Sequence, residues 1–284
     1  MGEAQRIWLI NNAQSGSNTA ESLENCVSHC ADCGFEIVHN TQLPAQELPD
    51  AKMLDAAGVS LAVIFAGDGT VNAGLGALAD WNGSVLVLPG GTMNLVYHRL
   101  FDKESWQDVV AMAARGELRR HRPAVIRTSV GLAYAGMLAG PGAAWGDVRE
   151  AMRSRDPVDF AAETRDAFAQ TLSGPRVVCA DPELGRREGY PLVLLTPWDR
   201  TILVDAYHAE SGAEYLEQFV ALVRREFRDG PHDRLGEVCD LVLAVPEGEK
   251  IDLLLDGESR QVPSPARFEL AECPVQMLAT RTDG

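Results

Sequence analysis

The chain has 284 residues, 46% of them apolar and 23% charged, with a formal net charge of -16. That is the composition of a soluble globular protein with one large core or two ordinary ones. The acidic balance excludes nucleic acid as a partner, since its phosphates call for clustered Lys and Arg.

Met1 to Arg6 carry no secretory signal, and Arg6 stands where a myristoylation signal needs Ser or Thr, so the expected location is the cytoplasm, with room for peripheral membrane contact. The first hundred residues then alternate. Strands are expected at Arg6 to Asn11, Phe35 to Asn40, Leu61 to Phe65 and Ser84 to Leu88, and helices at Thr19 to Cys33, Ala45 to Ala57 and Val71 to Asp80. Near-continuous apolar strands alternating with helices predict a parallel sheet covered on both faces. In the first helix Leu23, Cys26, Cys30 and Cys33 share one face. With His29 nearby a metal site is conceivable there, but an apolar helix face fits the spacing better than the paired CxxC of zinc sites. Six cysteines in a chain of this length are not a disulfide framework.

Arg115 to Pro123 reads as a basic linker, after which the character changes. Gly and Pro rise, and strand-like runs occur at Val125 to Val130, Val177 to Ala180, Leu192 to Leu195, Ile202 to Ala206, Leu241 to Val245 and Lys250 to Leu255. One amphipathic helix is expected where Leu216, Phe219, Val220, Val223 and Phe227 fall on one face. The uncharged stretch Thr128 to Gly146 is long enough to raise a membrane span, but its five glycines and Pro141 favour buried strand and turn. The expected architecture is therefore α/β: an N-terminal parallel-sheet domain, residues 1–122, followed by a β-rich domain, residues 123–272. A last strand within 273–280 is free to join either domain, the first included.

The chemistry concentrates in two loops, Gly67-Asp68-Gly69-Thr70-Val71-Asn72 and Leu88-Pro89-Gly90-Gly91-Thr92-Met93-Asn94, each between an apolar strand and a helix-forming segment. Glycine lets backbone N–H groups approach an anion closely, and the following helix aims its unpaired N–H groups at the same point. Thr70, Thr92, Asn72 and Asn94 add side-chain donors. Asp68 is out of place beside a bare phosphate unless it holds a metal or takes a proton. GxxxxGK[ST] is absent, and no GxGxxG follows the first strand, so neither a P-loop nor a dinucleotide fingerprint supplies this site. In a parallel sheet the polar turns Asn11 to Ser17 and Asn40-Thr41 come to the same strand-end crevice as the glycine loops.

Taken in order, Asn11-Asn12-Ala13-Gln14-Ser15-Gly16, Thr41, Gly67 to Asn72, Leu88 to Asn94 and Leu255-Asp256-Gly257-Glu258 resemble the diacylglycerol kinase catalytic-domain family, which includes bacterial lipid kinases, sphingosine kinases and ceramide kinases. The resemblance is dense in the N-terminal domain and thin beyond it. It implies transfer of the ATP γ-phosphoryl group to a lipid hydroxyl with Mg²⁺. By match, ATP would be contacted by Asn11, Asn12, Ser15, Gly16, Thr41, Gly67, Asp68, Gly69, Thr70, Asn72, Gly90, Gly91, Thr92 and Asn94. Glu258 would accept the proton. Asp68 would share that role or hold the metal, and Asp199 loosely matches a structural Mg²⁺ loop. The implied partner is a lipid substrate, with room for transient membrane contact and for a homodimer.

Four positions depart from the family pattern: Ala66 replaces a glycine, Asn12 a proline, Ala73 a glutamate and Leu95 an aspartate. The alternatives are an NAD kinase-like enzyme, which shares the GDGT loop, and a catalytically degenerate nucleotide or lipid sensor.

Overall fold

The computed structural model describes residues 4–15, 18–140, 175–207, 232–246 and 250–280. The chain forms two units, Met1–Pro123 with Glu272–Gly284, and Ala124–Ala271.

In the first unit β1 (Gln5–Asn12), β2 (Phe35–Leu43), β3 (Leu61–Ala66) and β4 (Ser84–Pro89) alternate with α1 (Ala20–Asp32), α2 (Ala51–Ala56) and α3 (Asp68–Ala77). Helices α4 (Leu95–Phe101) and α5 (Trp106–Ala114) and strand β5 (Arg119–His121) complete this run. The sheet order is β2-β1-β3-β4-β18-β5, where β18 (Gln276–Ala279) comes from the far end of the chain. Strands β1 to β4 pair in parallel, β18 is parallel to β4, and β5 is antiparallel to β18. Every residue of β3 is buried, as is all of β4 up to Pro89. Strands covered on both faces have no place for alternating polar residues, which explains the unbroken apolar runs. The parallel α/β architecture expected from the alternation is the one observed.

Several boundaries differ from expectation. The helix expected from Ala45 is confined to Ala51–Ala56, because Pro49 interrupts the run and Asp50 caps the helix by accepting the Met53 N–H. Helix α3 starts at Asp68 rather than Val71: Gly67 occupies the cap, and a first-turn carboxylate suits the positive end of the helix. The basic linker contains β5, an exposed edge strand whose charges suit that position.

On α1, Cys26 and Cys30 are buried and Cys33 is the C-cap; all are free thiols. The Cys26 thiol is pushed up by its hydrogen bond with Cys30 and by burial, which keeps it protonated.

The second unit holds two six-stranded sheets, ordered β10-β9-β14-β17-β6-β7 and β13-β12-β11-β8-β15-β16. The first contains β6 (Ala124–Thr128), β7 (Gly131–Ala133), β9 (Val178–Asp181), β10 (Glu183–Leu184), β14 (Asp240–Ala244) and β17 (Ala266–Glu272). The second contains β8 (Met137–Ala139), β11 (Leu192–Trp198), β12 (Thr201–Tyr207), β13 (His232–Val238), β15 (Lys250–Leu255) and β16 (Glu258–Pro263). One apolar cluster, including Ile126, Tyr190, Val204, Leu243, Leu253 and Phe268, joins the two sheets. Residues 134–136 form the corner where the chain passes from β7 in one sheet to β8 in the other. Among the described residues no helix is long and apolar enough to cross a membrane. The helix expected around Leu216 to Phe227, and residues 141–146 of the uncharged stretch, lie outside the described residues.

Candidate functional site

The two glycine loops lie against each other at the carboxyl ends of β3 and β4. A Cβ on Gly91 would stand 2.5 Å from the Gly67 Cα, and one on Gly90 would stand 2.7 Å from the Ala66 nitrogen. Backbone meets backbone at both places, so only glycine fits. Asn94, in the left-handed region at φ 51°, closes its own loop: its Oδ1 accepts the Gly91 N–H at 2.7 Å and its Nδ2 donates to the Gly91 carbonyl at 2.8 Å. Thr92, at the tip between them, is exposed.

The turn after β1 is stitched onto this pair. Asn12 donates from Nδ2 to the Thr70 hydroxyl at 2.9 Å, and the Ser15 hydroxyl accepts the Gly67 N–H at 3.2 Å. Asn18, buried, donates to the carbonyls of Phe65 at 2.9 Å and Asn12 at 3.1 Å. Asn18 carries no signal in the sequence, because a residue before Thr19 reads as part of a helix cap; Thr19 itself caps α1. Gly16 lies outside the described residues.

Asn11 and Thr41 sit one strand further along. Asn11 is fully buried at the end of β1, with Nδ2 donating to Asn40 Oδ1 at 2.6 Å and to the Thr41 carbonyl at 3.3 Å. Its Oδ1 has no hydrogen-bond partner among the described residues. A buried acceptor left this way costs stability unless a ligand or water donor meets it. The Thr41 hydroxyl accepts the Trp8 indole N–H at 2.9 Å and retains its own proton to donate.

Side chains cap α1, α2 and α5 at their N-termini, through Thr19, Asp50 and Ser105. Helix α3, which follows the first glycine loop, has Gly67 at its cap and no side-chain hydrogen bond there. The missing cap lies where an anion would take its place. Gly69, Thr70 and Asn72 follow Asp68 within α3, all half-buried. Asp68 Oδ1 accepts the Val96 N–H at 3.2 Å, so this carboxylate also ties α3 to the start of α4.

Of the departures from the family pattern, Ala66 is a buried strand residue outside the positive-φ region, so alanine is accommodated there without strain. Ala73 is exposed on α3, and Leu95 is the first residue of α4. Beside the loops, a cavity of about 380 Å³ is walled by Phe65, Pro89 and Trp106 and rimmed by Ser22, Asn25, His29 and Gln107.

Glu258 belongs to the second unit. It opens β16 across from Leu255, half-buried, after the two-residue turn Asp256-Gly257. Both turn residues have positive φ, 47° and 84°, as a tight hairpin of this length requires. Asp256 is buried and accepts three backbone N–H groups. Asp199 lies in the turn between β11 and β12, at φ 34°.

Among the described residues no group of three or more His, Cys, Asp or Glu side chains forms a metal cage. Mg²⁺ does not require one. It binds through one or two carboxylates and completes its shell with substrate phosphates and water. Asp68 at the head of α3 is a donor of that kind.

The sequence profile of the diacylglycerol kinase catalytic domain matches residues 6–124. No curated protein matches the chain. Two solved structures from Bacillus anthracis str. Sterne share its fold. One, described as a diacylglycerol kinase, is 16% identical with a TM-score of 0.62, covering 99% of each chain. The other, described as "a putative diacylglycerol kinase", is 16% identical with a TM-score of 0.63, covering 99% of this chain and 100% of its own. The matched segment holds both glycine loops and the polar turns that converge on them, and over residues 6–124 the chain is similar to the diacylglycerol kinase catalytic domain.

Proposed function

We propose that the protein is an ATP-dependent lipid kinase that transfers the γ-phosphoryl group to a lipid hydroxyl such as that of diacylglycerol. The carrying observation is the pair of interlocked glycine loops at the head of α3, a helix without a side-chain cap. Phosphoryl transfer asks a protein for positioning and charge stabilisation more than for covalent chemistry. Backbone N–H groups at the start of α3 would hold phosphate oxygens, and the Thr70 hydroxyl, fixed by Asn12, would orient them. The Asn11 Oδ1, buried without a partner among the described residues, fits a nucleotide hydroxyl or amine.

Mg²⁺, when bound, would neutralise phosphate charge, with Asp68 as the chain's own ligand. Glu258 is assigned as proton acceptor by its place in the Asp-Gly-Glu motif. Its carboxylate would take the proton of the lipid hydroxyl as the oxygen attacks phosphorus. The reading extends to peripheral membrane contact, where a lipid substrate would be met.

The test is transfer of labelled γ-phosphate to a panel of lipids, with NAD included as acceptor. A labelled lipid that is lost with Glu258→Gln supports the reading. Labelled NAD would make the protein an NAD kinase, and ATP binding without transfer to any acceptor would make it a sensor.

A further inference from the structure

Asp256 is 1% exposed, although it lies in a hairpin turn. Its Oδ2 accepts the Tyr134 N–H at 2.7 Å, and its Oδ1 accepts those of Ala135 at 2.8 Å and Gly136 at 3.1 Å. The Asp256 N–H returns a bond to the Gly136 carbonyl at 3.1 Å. Three successive amides on one buried carboxylate form an anchor far stronger than a hairpin turn needs, since bonds to a charged acceptor are stronger than neutral ones.

What is anchored is specific. Residues 134–136 are the corner between the two sheets, and β8, which follows, is paired on one side with β11 and on the other with β15. Leu255, the last residue of β15, lies opposite Met137 and Glu258. The carboxylate thus fixes the end of the hairpin to the corner that leads into a strand paired on both sides, and Glu258 is the first side chain beyond the turn.

We propose that Asp256 is a positioning residue for phosphoryl transfer: by binding the 134–136 amides it sets the backbone from which Glu258 reaches the acceptor hydroxyl. This rests on the assignment of Glu258 as proton acceptor. Asn suits the same positive-φ position, so Asp256→Asn retains the turn. Its amide nitrogen must then face a backbone N–H, and at least one of the three bonds is lost. A shift of an ångström in a reacting group costs up to about a hundredfold in rate.

The experiment is a kinetic cycle of wild type, Asp256→Asn, Glu258→Gln and the double variant, with circular dichroism to establish folding. Asp256→Asn is expected to lower kcat by about tenfold or more, and the double variant to turn over no more slowly than Glu258→Gln alone, because a positioning residue acts only through its target. A structural role would multiply the two losses, and that result overturns the proposal. So does Asp256→Asn at the wild-type rate beside a slow Glu258→Gln. If Glu258→Gln itself keeps the wild-type rate, the proton-acceptor assignment falls instead. Should Asp256→Asn fail to fold, Asp256→Gly, also suited to the turn and open to water at the three amides, replaces it in the cycle. Loss of fold in both would assign the carboxylate to stability alone and overturn the proposal.

Discussion

One oxygen of Asp68 is engaged by the Val96 amide at 3.2 Å, so the residue holds structure as well as chemistry. The two roles separate by substitution. Asp68→Asn keeps a carbonyl oxygen for Val96 but loses the charge; it should cut lipid phosphorylation by about a hundredfold, as for loss of a general base or metal contact, with stability nearly unchanged. Asp68→Ala should add a stability loss of about 1 kcal/mol for the missing hydrogen bond. Equal activity of Asp68→Asn and wild type would leave Asp68 a structural residue only. At Gly91 the constraint is steric: a Cβ 2.5 Å from the Gly67 Cα cannot be relieved by a flexible side chain. Gly91→Ala should destabilise by about 1–3 kcal/mol through overpacking, and separation of the loops should weaken ATP in a calorimetric titration. The residue types at both positions were legible in the sequence. Their contacts were not, because the Val96 amide and the Gly67 backbone leave no trace in local spacing.

Within elements, legibility follows the strength of the local signal. Strands β3 and β4 and helix α1 were clear because burial on both faces, or on one helical face, prints a period on the sequence. The start of α3 was misplaced because Gly-Asp-Gly reads as a loop, whereas an uncapped helix begins there. Strand β5 was misread because its pairing partner, β18, lies about 150 residues away, as its pairing of His121 with Met277 records. In the second unit, β13 and β16 are polar edge strands without the apolar alternation that marks a strand. The α3 assignment carries its own prediction. Gly76 is exposed in this helix, has no atom within 4 Å of an added Cβ, and is outside the positive-φ region. Gly76→Ala should therefore stabilise the protein by about 0.5–1 kcal/mol in chemical denaturation, by removing the entropy cost of helical glycine. Destabilisation would contradict the placement of this helix.

At the scale of the whole chain, the first unit is not complete until residues 272–280 are made. The chain leaves it at Pro123 and re-enters at Glu272, and the two crossings are joined: the Cys273 N–H donates to the Pro123 carbonyl at 2.9 Å, and Arg122 donates to the Pro274 carbonyl at 2.6 Å. Strand β18 then lies between β4 and β5, with Val275, Met277 and Leu278 buried. Burial of three such side chains is worth about 5–9 kcal/mol at about 1.5–3 kcal/mol each, comparable with the entire stability of an ordinary domain at about 5–15 kcal/mol. A chain ending at Ala271 retains every residue proposed to touch ATP, yet it would expose the edge of β4 and leave β5 without a partner. It should lose the cooperative unfolding transition of the first unit and its ATP affinity together. Adding a peptide of residues 272–280 should restore part of both. Wild-type ATP affinity in the shortened chain would mean that the first four strands hold the site by themselves, and that β18 contributes pairing without being needed for the fold around the glycine loops.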